Sequence, residues 1–141
     1  MTTTPIQMRF ADVDMLGHVN NVNQQHYFDV GKSDFFAQVL DPAPNWKQEG
    51  LITVSTYNDY LAQIRYGEPI AVLTRIEKVG NKSFTLFQQI VNTATQEVKT
   101  QSRSVLVAFD FVAQVSIPLL EPWRKSFGKT TLKLVPLTTG E

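Results

Sequence analysis

NVNQQHYFDVGKSDFFAQVL, residues 21–40, is free of proline and carries Phe28, Phe35 and Val39 at helical spacing, with Phe36 and Leu40 alongside. At about 1.5 Å per residue such a stretch spans ~30 Å, and it reads as one long amphipathic helix. Asn20 or Asn21 is the expected N-cap, because an Asn side chain accepts from an unpaired N–H of the first turn. Gly31 in mid-helix costs about 1 kcal/mol relative to Ala, and close approach of the helix to a sheet would offset it.

On either side of that helix the pattern changes. Ile6, Met8 and Phe10 alternate, which predicts a first strand over 5–10. After the loop DPAPNWKQEG, residues 41–50, the segments 51–64, 69–79, 83–92 and 98–111 are rich in Val, Ile, Thr, Phe and Tyr and separated by short turns. Four successive strands predict an antiparallel meander. Strand, long helix and then strands describe an α+β domain whose sheet curls around one central helix. A short helix around 121–127 and a polar tail from Gly128 follow. The expected organisation is a single domain over 1–141, with a core at about 5–118 and a C-terminal extension at 119–141. Phe84, Phe87, Phe109 and Phe111 read as core residues.

Composition narrows the function. Thirteen basic residues balance 13 acidic ones, so no overall field draws the chain to nucleic acid or to an anionic membrane. There is no cysteine, which excludes disulfides, thiolate metal sites and a Cys nucleophile. No apolar run approaches a membrane span, MTTTPIQ lacks a leader pattern, and a cytoplasmic protein is the expectation. No GxSxG marks a serine hydrolase.

Chemistry concentrates in RFADVDMLGHVNN, residues 9–21, where two acids, a glycine, a histidine and two asparagines lie between strand and helix. An aspartate just ahead of a helix start stands beside free N–H groups and a positive dipole end, a place suited to stabilising an oxyanion. Asp14 is therefore the candidate catalytic acid, against the plainer reading of a turn-capping aspartate. Asp12 alternates with it and should point the other way, as a supporting acid. His18 is a candidate acid–base partner or a loop-to-helix hydrogen bond; His26 reads as a packing or surface residue. Asp12, Asp14, His18 and His26 match no tight metal-ligand spacing, and no metal is expected. Ser83 could supplement the site or close a turn, and Arg65, Arg75, Lys78, Lys82 and Arg103 are the basic residues available to phosphates.

DVDMLGHVNNVNQQHYFDVGKSDFF, followed by strands containing YGEPI and VGNKSF, resembles the hot-dog-fold acyl-CoA thioesterases of the 4-hydroxybenzoyl-CoA thioesterase type, over roughly residues 8–118. The resemblance implies that Asp14 acts on the thioester carbonyl as nucleophile or as general base, that the backbone N–H of Asn21 polarises that carbonyl, and that Gly17 lets the loop turn into the helix. With His18 these form the expected catalytic set, and Asn20, Gln24, Ser83 and Lys82 the substrate-binding set. It also implies a homodimer or a dimer of dimers with the site at the interface, and no cofactor beyond the coenzyme A of the acyl-CoA substrate. Two departures stand out: Gln24 occupies a position where relatives commonly carry tyrosine, and their Glu-x-x-Arg becomes Asp29 with Lys32. The alternative function is a non-catalytic hot-dog module that binds acyl-CoA.

Overall fold

The computed structural model describes residues 1–41 and 43–132, and the side chains as far as Gly128. Asn20 starts the long helix: its Oδ1 accepts the Asn23 N–H at 2.9 Å, and α1 runs Asn21–Val39. Gly31 sits where the sheet comes closest. A Cβ there would lie 2.6 Å from Val72 Cγ1 and 3.0 Å from Gln88 Nε2, so the glycine is what lets helix and sheet pack at this distance.

Around α1 lie β1 (Thr2–Ile6), β2 (Glu49–Tyr60), β3 (Ile70–Val79), β4 (Ser83–Asn92), β5 (Val98–Asp110) and the short β6 (Val115–Ser116), followed by α2 (Glu121–Leu132). The strands form one antiparallel sheet in the order β1-β3-β4-β5-β2, with β6 against the end of β5. A sheet wrapped on one long helix is the hot-dog arrangement.

The details correct four expectations. The first strand is Thr2–Ile6, because β3 supplies partners only from Thr74 to Ile70; beyond Ile6 the chain leaves the sheet and closes a 3₁₀ turn at Phe10–Asp12. The meander comprises β3, β4 and β5 alone. With β1 occupying the outer edge of β3, β2 pairs instead with β5, from Glu49↔Asp110 to Tyr60↔Thr100. Strand β2 stops at Tyr60 rather than continuing to Ile64, which lies beyond the strand's end and is fully buried. Finally, α2 continues past Gly128 to Leu132, and Leu119, Trp123 and Phe127 are core residues, so the core reaches beyond residue 118.

Two apolar clusters make up the interior. One gathers Phe35, Leu51, Ile76, Phe84, Leu86 and Leu106 with Trp123 and Phe127 of α2. The other, under the N-terminal half of α1, gathers Val19, Tyr27, Phe28, Ile64, Ile70, Val72 and Ile90. Not every expected core aromatic belongs to them. Phe87 is buried on the other face of the sheet, between the guanidinium groups of Arg75 and Arg103 at 5.1 and 4.6 Å. Phe109 and Phe111 are half-buried and pack against each other with their rings tilted by 55°.

Candidate active site

The loop between β1 and α1 is held at both ends. Val19 donates its N–H to Ile64 O at 2.8 Å, and both side chains are buried in the second cluster. Asp12 is fully buried, and its carboxylate accepts from Tyr27 Oη at 2.6 Å, from the Arg9 N–H at 3.0 Å, and from Arg9 Nε and Nη2 at 3.0 and 2.8 Å. Burial alone would raise the Asp12 pKa, but those donors and the Arg9 charge outweigh it and hold the carboxyl below its ordinary value. Burial, reinforced by Asp12, raises that of Tyr27, which stays a neutral donor. The Asp12 carbonyl also receives the Asn20 N–H and Asn23 Nδ2, both at 3.3 Å. Asp12 is thus a clamp that ties loop to helix.

Between these anchors the chain makes a tight reversal. Asp14 N–H donates to His18 O at 2.9 Å, Gly17 N–H donates to Asp14 O at 3.0 Å, and Val13 bridges Val19. Gly17 has φ +82° with nothing crowding its Cα, so backbone conformation rather than space selects glycine. Asp14 is exposed; its Oδ1 accepts from the Leu16 N–H at 2.9 Å and from the His18 N–H at 3.4 Å, and its Oδ2 has no partner among the described residues. One oxygen fixes the turn and the other is left unengaged among the described residues.

At the start of α1 the Asn23 N–H goes to the Asn20 cap and the Gln24 N–H to Asn20 O. The N–H groups of Asn21 and Val22 carry no partner among the described residues, which leaves them at the positive end of the helix dipole. A cavity of about 380 Å³ brings Asp14, His18, Asn20, Asn21 and Gln24 together with Tyr60, Leu61, Ala62 and Gln63. A carboxylate and free helix N–H groups around one cavity can activate a nucleophile on one side of a carbonyl and stabilise its oxygen on the other.

Gln24 is buried here, with Nε2 donating to Val19 O at 3.2 Å and Oε1 accepting from Thr100 Oγ1 at 2.5 Å. Arg65 is the basic candidate that lies beside the site, through its bridge with His18. Ser83 and Lys82 lie elsewhere in the subunit. The hairpin that precedes them is bound to the C-terminal helix, with Arg124 Nη2 on the carbonyls of Gly80 and Asn81 at 2.7 Å each. Ser83 is seven residues along β4 from Ile90, about 23 Å at strand rise. The cavity wall at residues 60–63 and the buried Tyr27–Asp12 pair are not legible as site residues in the sequence. The one sequence hint is that 60–63 precede the turn at Arg65–Glu68.

His26 is exposed on α1, apart from the cavity that holds Asp14. Among the described residues no three of His, Asp and Glu gather as a metal site, and no helix is long and apolar enough to cross a membrane.

Comparison with known proteins places this geometry. The sequence is 32% identical to the uncharacterized protein YsmA of Bacillus subtilis (strain 168) over 81 residues, which is 57% of this chain and 54% of that protein. Its fold matches a predicted thioesterase from Bacillus stearothermophilus with a TM-score of 0.80 and 28% identity, over 91% of this chain and 94% of that one. A thioesterase from Thermus thermophilus, complexed with coenzyme A and Zn, superimposes with a TM-score of 0.81 and 22% identity, over 94% and 96% of the two chains. A family model described as the thioesterase-like superfamily matches residues 8–127, nearly the whole of the described chain. By that match, which takes in the Asp14 turn, the helix start and the entire meander, the chain belongs to the thioesterase-like superfamily.

Proposed function

We propose that the protein hydrolyses an acyl-CoA thioester to a carboxylic acid and free coenzyme A. The observation that carries this reading is the single cavity shared by Asp14 and the free N–H of Asn21. In the proposed reaction the thioester carbonyl oxygen sits at the Asn21 N–H. Asp14 either adds to the carbonyl carbon, expelling the coenzyme A thiolate and leaving a mixed anhydride for water to open, or takes a proton from water as the water adds, after which the tetrahedral adduct breaks its C–S bond and the departing thiolate takes up that proton. Family membership and the coenzyme A held by the Thermus thermophilus thioesterase support the substrate class.

The site is completed by a second copy. Residues 53–57 of β2 are exposed although they lie mid-strand, with Val54 56% and Tyr57 64% accessible, and among the described residues no strand covers the outer edge of β2. Such an edge is an open row of N–H and C=O groups that a symmetric partner strand satisfies. The proposed assembly is a homodimer or a dimer of dimers, and no metal takes part, since Asp12 is already committed to Arg9 and Tyr27.

The use of Asp14 Oδ1 as a turn acceptor is what a non-catalytic acyl-CoA-binding module would also have. Asp14→Asn separates the two readings, because it keeps that oxygen and removes the charge. Thiol release from a panel of acyl-CoAs should fall about 10²- to 10⁴-fold in the variant with little change in coenzyme A affinity. A parent that binds but cleaves no acyl-CoA establishes the binding module, and a variant within a few-fold of the parent removes Asp14 from the mechanism.

A further inference from the structure

The interior of this sheet is polar along one line. On the helix-facing side of β5 the residues Thr100, Ser102 and Ser104 are buried, and the neighbours of the two serines in register are Gln88 and Leu86 on β4 and Asn58 and Thr56 on β2. Ser102 Oγ, Ser104 Oγ, Gln88 Oε1 and Asn58 Oδ1 are buried atoms with no hydrogen-bond partner among the described residues. Orphaned polar atoms in such a number are rare in a finished core, where each costs about 1–3 kcal/mol.

The helix that packs on this sheet also carries a buried charged group. Lys32 of α1 is 6% exposed, and among the described residues its only ionic partner is Asp29, at 3.5 Å and itself mostly exposed. Phe28 O and Gly31 meet β4 through Gln88, whereas Gln25 Oε1 meets β2 through Asn58 Nδ2 at 2.9 Å. On a helix of 3.6 residues per turn Lys32 falls between Phe28 and Gln25, and the strand between β4 and β2 is β5. Gln24 is bonded to Thr100; eight residues on, a rise of about 12 Å brings Lys32 level with Ser104. Phe35, one turn further, accordingly packs in one cluster with Leu106. Burial lowers the Lys32 pKa, with Asp29 offsetting part of the effect, so an anion placed here would relieve a desolvated cation.

We infer that Lys32, Ser102 and Ser104 bind a carboxylate at the far end of the substrate's acyl group, so that the preferred substrates are the monothioesters of dicarboxylic acids rather than plain fatty acyl thioesters. This rests on the thioesterase reading above. The polar line begins at the catalytic cavity, since Gln24 and Tyr60 line that cavity and Tyr60 is paired with Thr100. Lys32 lies eleven residues along α1 from Asn21, about 16 Å from the point where the carbonyl is held. A long acyl group reaches it and a short one does not.

The test compares coenzyme A monothioesters of dicarboxylic acids of increasing length with fatty acyl-CoAs of the same lengths, on the parent, Lys32→Met, Ser102→Ala and Ser104→Ala. The parent should favour the carboxylate-bearing thioester at one preferred length. Lys32→Met keeps the length of the side chain and should lower the ratio of kcat/KM for that substrate over its fatty acyl counterpart by about ten- to hundredfold. The two serine variants should lower it less. Thermal midpoints should stay level or rise in Lys32→Met, because a buried charge has been removed. Non-hydrolysable thioether analogues, titrated by calorimetry, read the same ratio as affinities. If no thioester is cleaved but the carboxylate analogue binds and loses its advantage in Lys32→Met, the thioesterase reading falls and this site stands. A parent that prefers the fatty acyl chain, or a ratio unchanged in Lys32→Met, overturns it; a lowered midpoint with an unchanged ratio makes Lys32 structural.

Discussion

Replacing Tyr27 by Phe removes one oxygen and leaves the ring in place. That oxygen donates at 2.6 Å to a carboxylate whose side chain is 1% exposed, and Tyr27 itself is 4% exposed. A hydrogen bond to a charged group in such surroundings is worth about 1.5–3 kcal/mol. For a chain of this size that lowers the thermal midpoint by roughly 4–12 °C at fixed protein concentration. The pH dependence has a definite sign. The folded pKa of Asp12 lies below its ordinary 3.8, so the stability it contributes is present above that value and is lost as pH falls through the folded pKa. The gap between parent and Tyr27→Phe should be full at neutral pH and should shrink on acidification. Melting curves followed by circular dichroism across that range read both quantities. Midpoints equal to within about 1 °C at neutral pH, or a gap that widens in acid, would refute the clamp.

Other variants address other parts of the same frame. Gly31→Ala gains helix propensity yet drives a methyl to 2.6 Å from Val72 Cγ1, so urea denaturation should report a net loss of about 1–3 kcal/mol. Asn20→Ala removes the N-cap and should cost about 1 kcal/mol by the same measurement, with a fall in turnover because the freed first turn no longer holds the Asn21 N–H in place. Trp123→Ala empties a fully buried position and should cost about 3–5 kcal/mol by denaturant midpoint, which a dispensable C-terminal extension would not show.

Periodicity is enough to place α1, β4 and the glycine at its closest approach to the sheet, because each of those signals is local. Pairing is not legible in the same way. Nothing in residues 49–60 announces that β5 is their partner; the outcome follows from β1 taking the edge of β3, a long-range competition between strands. The amphipathic reading of α1 also misses part of its buried face. Gln24 and Lys32 look like solvent residues by composition, and only the sheet beneath them makes them interior. Asp12 and Asp14 do differ as expected, one buried and the other exposed, but residues 10–12 form a 3₁₀ turn and not the extended stretch on which alternation would act, and Asp12 is held inside by Tyr27, 15 residues further along the chain. Ser83 and Lys82 fall at the far end of β4, since a turn signature fixes a hairpin and not which end of the sheet that hairpin occupies.

The clamp, the reversal at Asp14 and the start of the helix all come from one unbroken run of chain, residues 9–27. Its members meet over short sequence distances, so closing it demands little loop entropy and it is able to assemble early in folding. The walls that would receive the acyl group come from β2, β5 and the middle of the helix, far apart in sequence. On the proposed reading, bond-breaking machinery and choice of acyl group are therefore written in separable parts of the chain, and one could drift or be re-engineered while the other is kept intact.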